Sequence, residues 1–245
     1  MDLVTALSAD SGLLCVVGAG GKKSTLYTLA SHLDRAVVTA TVRIPIFDSH
    51  VREVVVTDAP GETLQRVEEW PVGVVPEQER PDRYRGYDTE TVVSLRDRTD
   101  APVLVKADGA RTRLLKAPND REPQLPSNAD VVVPIASARV VGKPLTEEFV
   151  HRPERVASLT GCEAGKELRA SDVATVLSSE RGGMKDVPEG ATVVPVVNMV
   201  DDGELEAVGR DIAEQVLASA DVSRVVLTRM TADEPVVAVV EREHE

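Results

Sequence analysis

The sequence predicts an α/β fold with a mostly parallel sheet covered on both faces, on three observations. Short apolar runs rich in valine recur along the chain, segments with helical spacing lie between them, and the first run passes through glycines into a helical pattern. Strands buried on both faces read as unbroken apolar runs rather than alternating ones. Strands that alternate with helices call for parallel pairing. No stretch of the 245 residues reads as a clean linker. One domain over 1–245 is therefore expected, with a smaller inserted or appended lobe after about residue 136.

Leu13-Leu14-Cys15-Val16-Val17 is the first strand, followed by Leu26, Leu29, Ala30 and Leu33 at helical spacing. Ala36 to Ala40 and Glu53 to Val56 are the next strands. Between Trp70 and Tyr87, Pro71, Pro76 and Pro81 stand among many charges, and the stretch reads as a surface excursion. Thr89 to Arg96 reads as a helix leading into the strand Pro102 to Lys106, which ends at Ala107-Asp108-Gly109. Residues 116 to 128 hold Pro118, Pro123 and Pro126 and read as loop. Asp130 to Ile135 is a strand. Helical patterns follow near 151–160 and 171–179, and Gly182-Gly183 breaks the second. Thr192 to Val197 is a strand ending at Asn198-Met199-Val200-Asp201. Leu205, Val208, Ile212, Val216 and Leu217 then mark one face of a helix over about 203–219. Val225 to Leu227 and Val236 to Val240 close the chain as strands.

The net charge of −13 argues against broad nucleic-acid binding, which needs a basic surface to displace counterions. A local basic pocket is compatible with it. Lysine is scarce, with 21 of the 28 basic residues being arginine, and the acidic, lysine-poor surface resembles that of proteins from salt-loving organisms. No apolar run approaches the roughly 18–20 residues of a membrane span, and Met1-Asp2-Leu3-Val4 is not the start of a secretory signal. A cytoplasmic protein with no membrane partner is expected. Cys15 and Cys162 form neither a metal-ligand pattern nor a disulfide framework.

Gly18-Ala19-Gly20-Gly21-Lys22-Lys23-Ser24-Thr25 stands between the first strand and the first helix. A triphosphate needs several backbone N–H donors converging on its oxygens and one positive charge. Glycines let the backbone curl close, and the helix N-terminus adds partial positive charge. The fold is thus read as phosphate-loop NTPase-like. The spacing is a shortened form of the usual G-x-x-x-x-G-K-[ST], with Gly18, Gly21 and Lys22 in a G-x-x-G-K pattern. It resembles the short phosphate loop of the Mur-type peptide ligases. Lys22 is the expected contact to the β- and γ-phosphates. Lys23 stands where a magnesium-binding hydroxyl belongs, so Ser24 or Thr25 takes that role with a shift along the chain.

Mg²⁺ also needs a carboxylate at a neighbouring strand end, and Asp108 is placed for it. Thr39 and Thr41 follow the second strand, where their hydroxyls reach the metal or γ-phosphate, or serve only strand propensity. Asn198 and Asp201 share the spacing of the guanine-reading N-K-x-D motif, with Met199 in place of the lysine. Helix capping by Asp201 or Asp202 explains the same residues. Arg111, Arg113 and Lys116 form a basic run that suits a phosphate or anionic cofactor, or a solvated loop.

Taken together, Gly18 to Lys22, Thr39-Ala40-Thr41, Ala107-Asp108-Gly109-Ala110-Arg111, Leu115-Lys116-Ala117-Pro118, Gly142-Lys143-Pro144-Leu145, His151-Arg152-Pro153-Glu154 and Asn198 to Asp201 resemble the YqeC family. The resemblance spans nearly the whole chain. It implies a nucleotide-dependent accessory role in the maturation of a molybdenum-containing, selenium-dependent hydroxylase, with that hydroxylase or its cofactor as partner. Lys23 and Lys106 depart from the family pattern, where threonine and an acidic residue are usual; this leaves Asp108 as the main metal-ligand candidate, and the extra positive charges are expected partly to replace magnesium at the phosphates.

The expected protein binds and slowly hydrolyses ATP or GTP with Mg²⁺. Lys22 and Asp108 carry the chemistry, residues 18–25 hold the phosphates, and Ser24, Thr25, Thr41 and Asp108 are the metal candidates. Two rivals stand beside it: an ATP-dependent ligase or kinase acting on a small molecule, and a catalytically inactive nucleotide-binding scaffold.

Overall fold

The computed structural model describes residues 1–242. In chain order its strands are β1 (Leu13–Gly18), β2 (Val37–Ala40), β3 (Ile44–Pro45), β4 (Glu53–Val56), β5 (Val72–Val75), β6 (Arg83–Tyr84), β7 (Val103–Lys106), β8 (Leu115–Lys116), β9 (Val131–Ser137), β10 (Val150–His151), β11 (Thr192–Val193), β12 (Val196–Asn198), β13 (Arg224–Thr228) and β14 (Val236–Glu241). The helices are α1 (Leu3–Ala6), α2 (Lys22–Ser31), α3 (Pro60–Thr63), α4 (Thr89–Arg96), α5 (Pro153–Thr160), α6 (Ala170–Ser178) and α7 (Gly203–Ser219).

One ten-stranded sheet runs in the order β14-β13-β12-β9-β1-β7-β2-β5-β4, with β11 also paired to β9. Every pairing in it is parallel except β13–β14. Strands β11 to β14, after residue 136, extend this same sheet. Its middle is apolar on both sides. Leu14 and Val16 of β1 pack with Leu26 and Leu29 of α2, while Leu13, Cys15 and Val17 pack with Val92 and Leu95 of α4. Helices α5, α6 and α7 cover the other half, around Val197, Ile212 and Leu227.

Trp70 to Tyr87 is not only a surface excursion. Val72–Val75 is fully buried between β2 and β4, because Pro71 and Pro76 flank the apolar run without interrupting it. The strand expected over Thr192 to Val197 is divided at Pro195, which lacks the N–H a ladder requires.

Two small ladders lie outside the main sheet, antiparallel β3–β6 and parallel β8–β10. The chain leaves β1 towards β2 on one side and leaves β9 towards β12 on the other. Such a switch point opens a crevice at the carboxyl ends of the strands. No described helix is long and apolar enough to cross a membrane.

Candidate functional site

At the end of β1 the chain turns through Ala19, Gly20 and Gly21 and enters α2 at Lys22. Gly21 has φ 135°, closed to ordinary side chains, and a Cβ there would collide with the Asn198 amide. A Cβ on Gly18, at φ 91°, would collide with the Ile135 carbonyl. The loop is therefore pressed onto β9 and β12. Ala19 donates its N–H to the Ile135 carbonyl at 2.9 Å, and Gly18 donates its own to Asp108 Oδ2 at 2.9 Å. The N–H groups of Gly20, Gly21, Lys22, Lys23 and Ser24 have no acceptor among the described residues. All five of these residues line one cleft of about 880 Å³. Free amides at a helix start are donors suited to an anion.

The rest of the cleft is strongly basic. Its lining includes Lys22, Lys23, Arg43, Arg83, Lys106, Arg111, Arg113 and Arg152, against Glu122 alone of the carboxylates. Eight cations thus gather in a chain of net charge −13. Arg43 is held by Glu79 at 2.6 Å, Arg83 by Asp82 at 3.3 Å and Arg152 by Glu122 at 2.7 Å. Lys23, Lys106, Arg111 and Arg113 have no carboxylate partner among the described residues. Six non-glycine residues have positive φ, and four of them, Arg111, Thr112, Arg152 and Met199, line this cleft. Strained backbone tends to collect where ligands bind.

Behind the loop lies a buried ionic network. Lys22 Nζ sits 2.8 Å from Asp108 Oδ1 and also meets the Gly18 carbonyl. Lys116, on β8, donates to Asp108 Oδ2 at 2.7 Å, to the Gly109 carbonyl at 2.5 Å and to Glu122 Oε2 at 2.9 Å. Glu122 Oε1 accepts the Gly109 N–H at 3.0 Å. Lys106, at the end of β7, donates to the carbonyls of Arg43 at 2.9 Å and Asp108 at 2.7 Å.

Burial alone would raise the Asp108 carboxyl, but Lys22 and Lys116 outweigh it and hold it below the ordinary range. Glu122 is likewise held down, chiefly by Lys116 against its own burial. Burial lowers Lys22, although Asp108 resists. Burial and then Lys22 draw Lys106 down to about 7. His151 is pushed down to about 4 by burial and then by Arg152, and so is uncharged at neutral pH.

These positions differ from the expected magnesium site. Asp108 is turned into the network: Oδ2 accepts from Lys116 and the Gly18 N–H, while Oδ1 lies 2.8 Å from Lys22 Nζ as an ion pair without hydrogen-bond geometry. Thr25 is buried and donates back to the Gly21 carbonyl at 3.2 Å, inside its own helix. Thr41 donates to the Gln124 carbonyl at 2.7 Å and Thr39 to the Val74 carbonyl at 2.7 Å. Ser24 alone of the four metal candidates lines the cleft. No group of three or more His, Cys, Asp or Glu side chains is placed to hold a metal among the described residues. The donor set does not fit a protein-held Mg²⁺.

Asn198 and Asp201 also differ from a base-reading pair. Asn198 is buried; its Nδ2 donates to the Gly20 carbonyl at 2.8 Å and its Oδ1 accepts from Thr228 Oγ1 at 3.0 Å. Asp201 pairs with Arg139 at 2.5 Å, and the cap of α7 is Asp202, which accepts the Leu205 N–H at 2.9 Å. Asn198 is a brace for the glycine loop.

The sequence assigns Glu122 no role and marks Arg152 only within the family pattern, while Lys106 stands out as a departure from it. A lysine at the end of an otherwise apolar strand is the signal that identifies Lys106. Glu122 gives no comparable signal, since it lies in a proline-rich loop whose path only the fold defines.

The family model described as "YqeC protein" matches residues 14–154. The chain is also 30% identical over 196 residues to a protein of Escherichia coli (strain K12) named "Uncharacterized protein YqeC", an alignment covering 76% of this chain and 75% of that relative. The matched region holds the glycine loop, Lys106, Asp108, Lys116, Glu122 and Arg152, and on these two findings the chain belongs to the YqeC family.

Proposed function

We propose that the cleft binds a nucleoside triphosphate, ATP or GTP, with its phosphates on the glycine loop and Lys22. The observation that carries this reading is the run of five residues, Gly20 to Ser24, whose N–H groups have no acceptor among the described residues and which line a cleft of eight basic side chains in an otherwise acidic protein. Charge-assisted hydrogen bonds from lysine, arginine and loop amides are the strong contacts to phosphate oxygens. Hydrolysis at this site is slow, because Asp108 and Glu122 are both committed to cations and leave no free carboxylate to orient a water.

The test is thermal unfolding with ATP, GTP, CTP and tripolyphosphate, each with and without Mg²⁺. A binder present at a hundredfold excess over Kd stabilises by about 2.7 kcal/mol, several degrees for a chain of this size. Lys22→Ala is expected to lose that response. No shift with any triphosphate, or an unchanged Kd in Lys22→Ala, overturns the reading.

The unpaired Arg111 and Arg113 favour a second reading, a ligase or kinase whose anionic acceptor rests on that wall. A phosphorylated or acylated product, rather than slow phosphate release, would identify it. Family resemblance supports an accessory role for this nucleotide site in maturing a molybdenum-containing hydroxylase. Co-purification of such a hydroxylase with the wild type, but not with Lys22→Ala, is the corresponding outcome.

A further inference from the structure

We infer that the cleft takes its polyphosphate ligand free of divalent metal, and that the Lys106 ammonium supplies the charge a bound cation would otherwise bring. The inference rests on the nucleotide reading above and deepens it by naming the form of the ligand.

Two independent features support it. The first is the donor set already described: the hydroxyls of Thr25, Thr39 and Thr41 are turned to backbone carbonyls, and both Asp108 oxygens face lysines. A divalent ion in the cleft would lie beside the like charges of Lys22, Lys23 and Lys106, with Ser24 the one candidate hydroxyl there. Metal sites of this kind are built from carboxylates, carbonyls and water.

The second is Lys106 itself. It is only 6% exposed, yet it lines the cleft at the end of β7, the strand directly beside β1. Its Nζ donates to two neutral carbonyls and to no carboxylate. An ammonium has three donors, so one remains for a ligand. Buried lysines are rare unless paired, and the groups around this one do not neutralise it: Lys22 and Lys116 oppose its charge, while Asp108 and Glu122 favour it but are themselves bonded to other cations.

Isothermal titration of ATP and of tripolyphosphate, at fixed ionic strength in EDTA and in excess Mg²⁺, tests this on the full chain. The wild type is expected to bind at least as tightly in EDTA as in Mg²⁺. Lys106→Gln and Lys106→Met are each expected to weaken binding in EDTA by about tenfold or more, the scale of a hydrogen bond to a charged group. Binding that requires Mg²⁺ overturns the inference and leaves the nucleotide reading standing. Unchanged affinity in EDTA in a folded Lys106 variant also overturns it. No binding in either medium removes both. The wild-type comparison of EDTA with Mg²⁺ decides the matter even where a variant fails to fold.

Discussion

Asn198 holds the glycine loop to the sheet through one amide. Its donor goes to the Gly20 carbonyl and its acceptor to Thr228 and the Met230 N–H, all buried. Truncation leaves these partners without a bond, at about 1–3 kcal/mol for each unsatisfied group. Asn198→Ala is expected to lower the urea midpoint accordingly and to weaken triphosphate binding, with circular dichroism otherwise native. An unaltered midpoint would mean that the loop is fixed by its glycines alone. At this scale the sequence was informative where chemistry is local. Gly18, Gly21 and Lys22 are recognisable because strand, loop and helix are contiguous. The bonding of Asn198 and Asp108 is not legible in the sequence, because hydrogen-bond direction is tertiary information. An asparagine after a strand offers the same donor and acceptor to a base or to a backbone 178 residues away, and only the fold chooses.

Among elements, the long and strongly patterned ones were legible. Helix α4 and the amphipathic α7 occupy the expected residues, and β1, β4, β7 and β9 lie where the apolar runs put them. The short ladders were not. β8 and β10 have two residues each, too few for any periodicity, and β8 sits at the edge of a proline-rich stretch. Yet they bring His151, and Arg152 next to it, to the cleft, and Lys116 to the network behind it. Lys116 is fully buried and binds two carboxylates. Removing one partner of a buried ion pair costs about 3–5 kcal/mol, because the remaining charge stays uncompensated. Lys116→Met is expected to destabilise the protein on that scale in chemical denaturation. A loss below about 1 kcal/mol, typical of exposed pairs, would show that the β8–β10 ladder does not depend on the network.

The whole molecule combines an acidic exterior with a basic cleft. Screening of the exterior charge should strengthen the fold, since self-repulsion opposes a compact state. Raising KCl from about 0.1 M to about 1 M shortens the Debye length from ~10 Å to ~3 Å, and the unfolding midpoint is expected to rise across that range. A flat or falling midpoint would count against an exterior limited by its own repulsion. Composition foretold this acidity, and the position of the basic residues in sequence did not foretell the cleft. Lys22, Arg43, Arg83, Lys106, Arg111 and Arg152 are far apart along the chain and meet only because the strand ends and both small ladders converge at one crevice.

The Asp108 carboxylate is in contact with three separate pieces of chain: the Gly18 amide at the end of β1, Lys22 at the start of α2, and Lys116 on β8. The floor of the cleft and its far wall consequently share one fastening. A ligand that drew Lys22 away from Asp108 would change the charge felt by Lys116, and through Glu122 by Arg152, so that binding at the loop would be felt at the opposite side of the crevice through these charges.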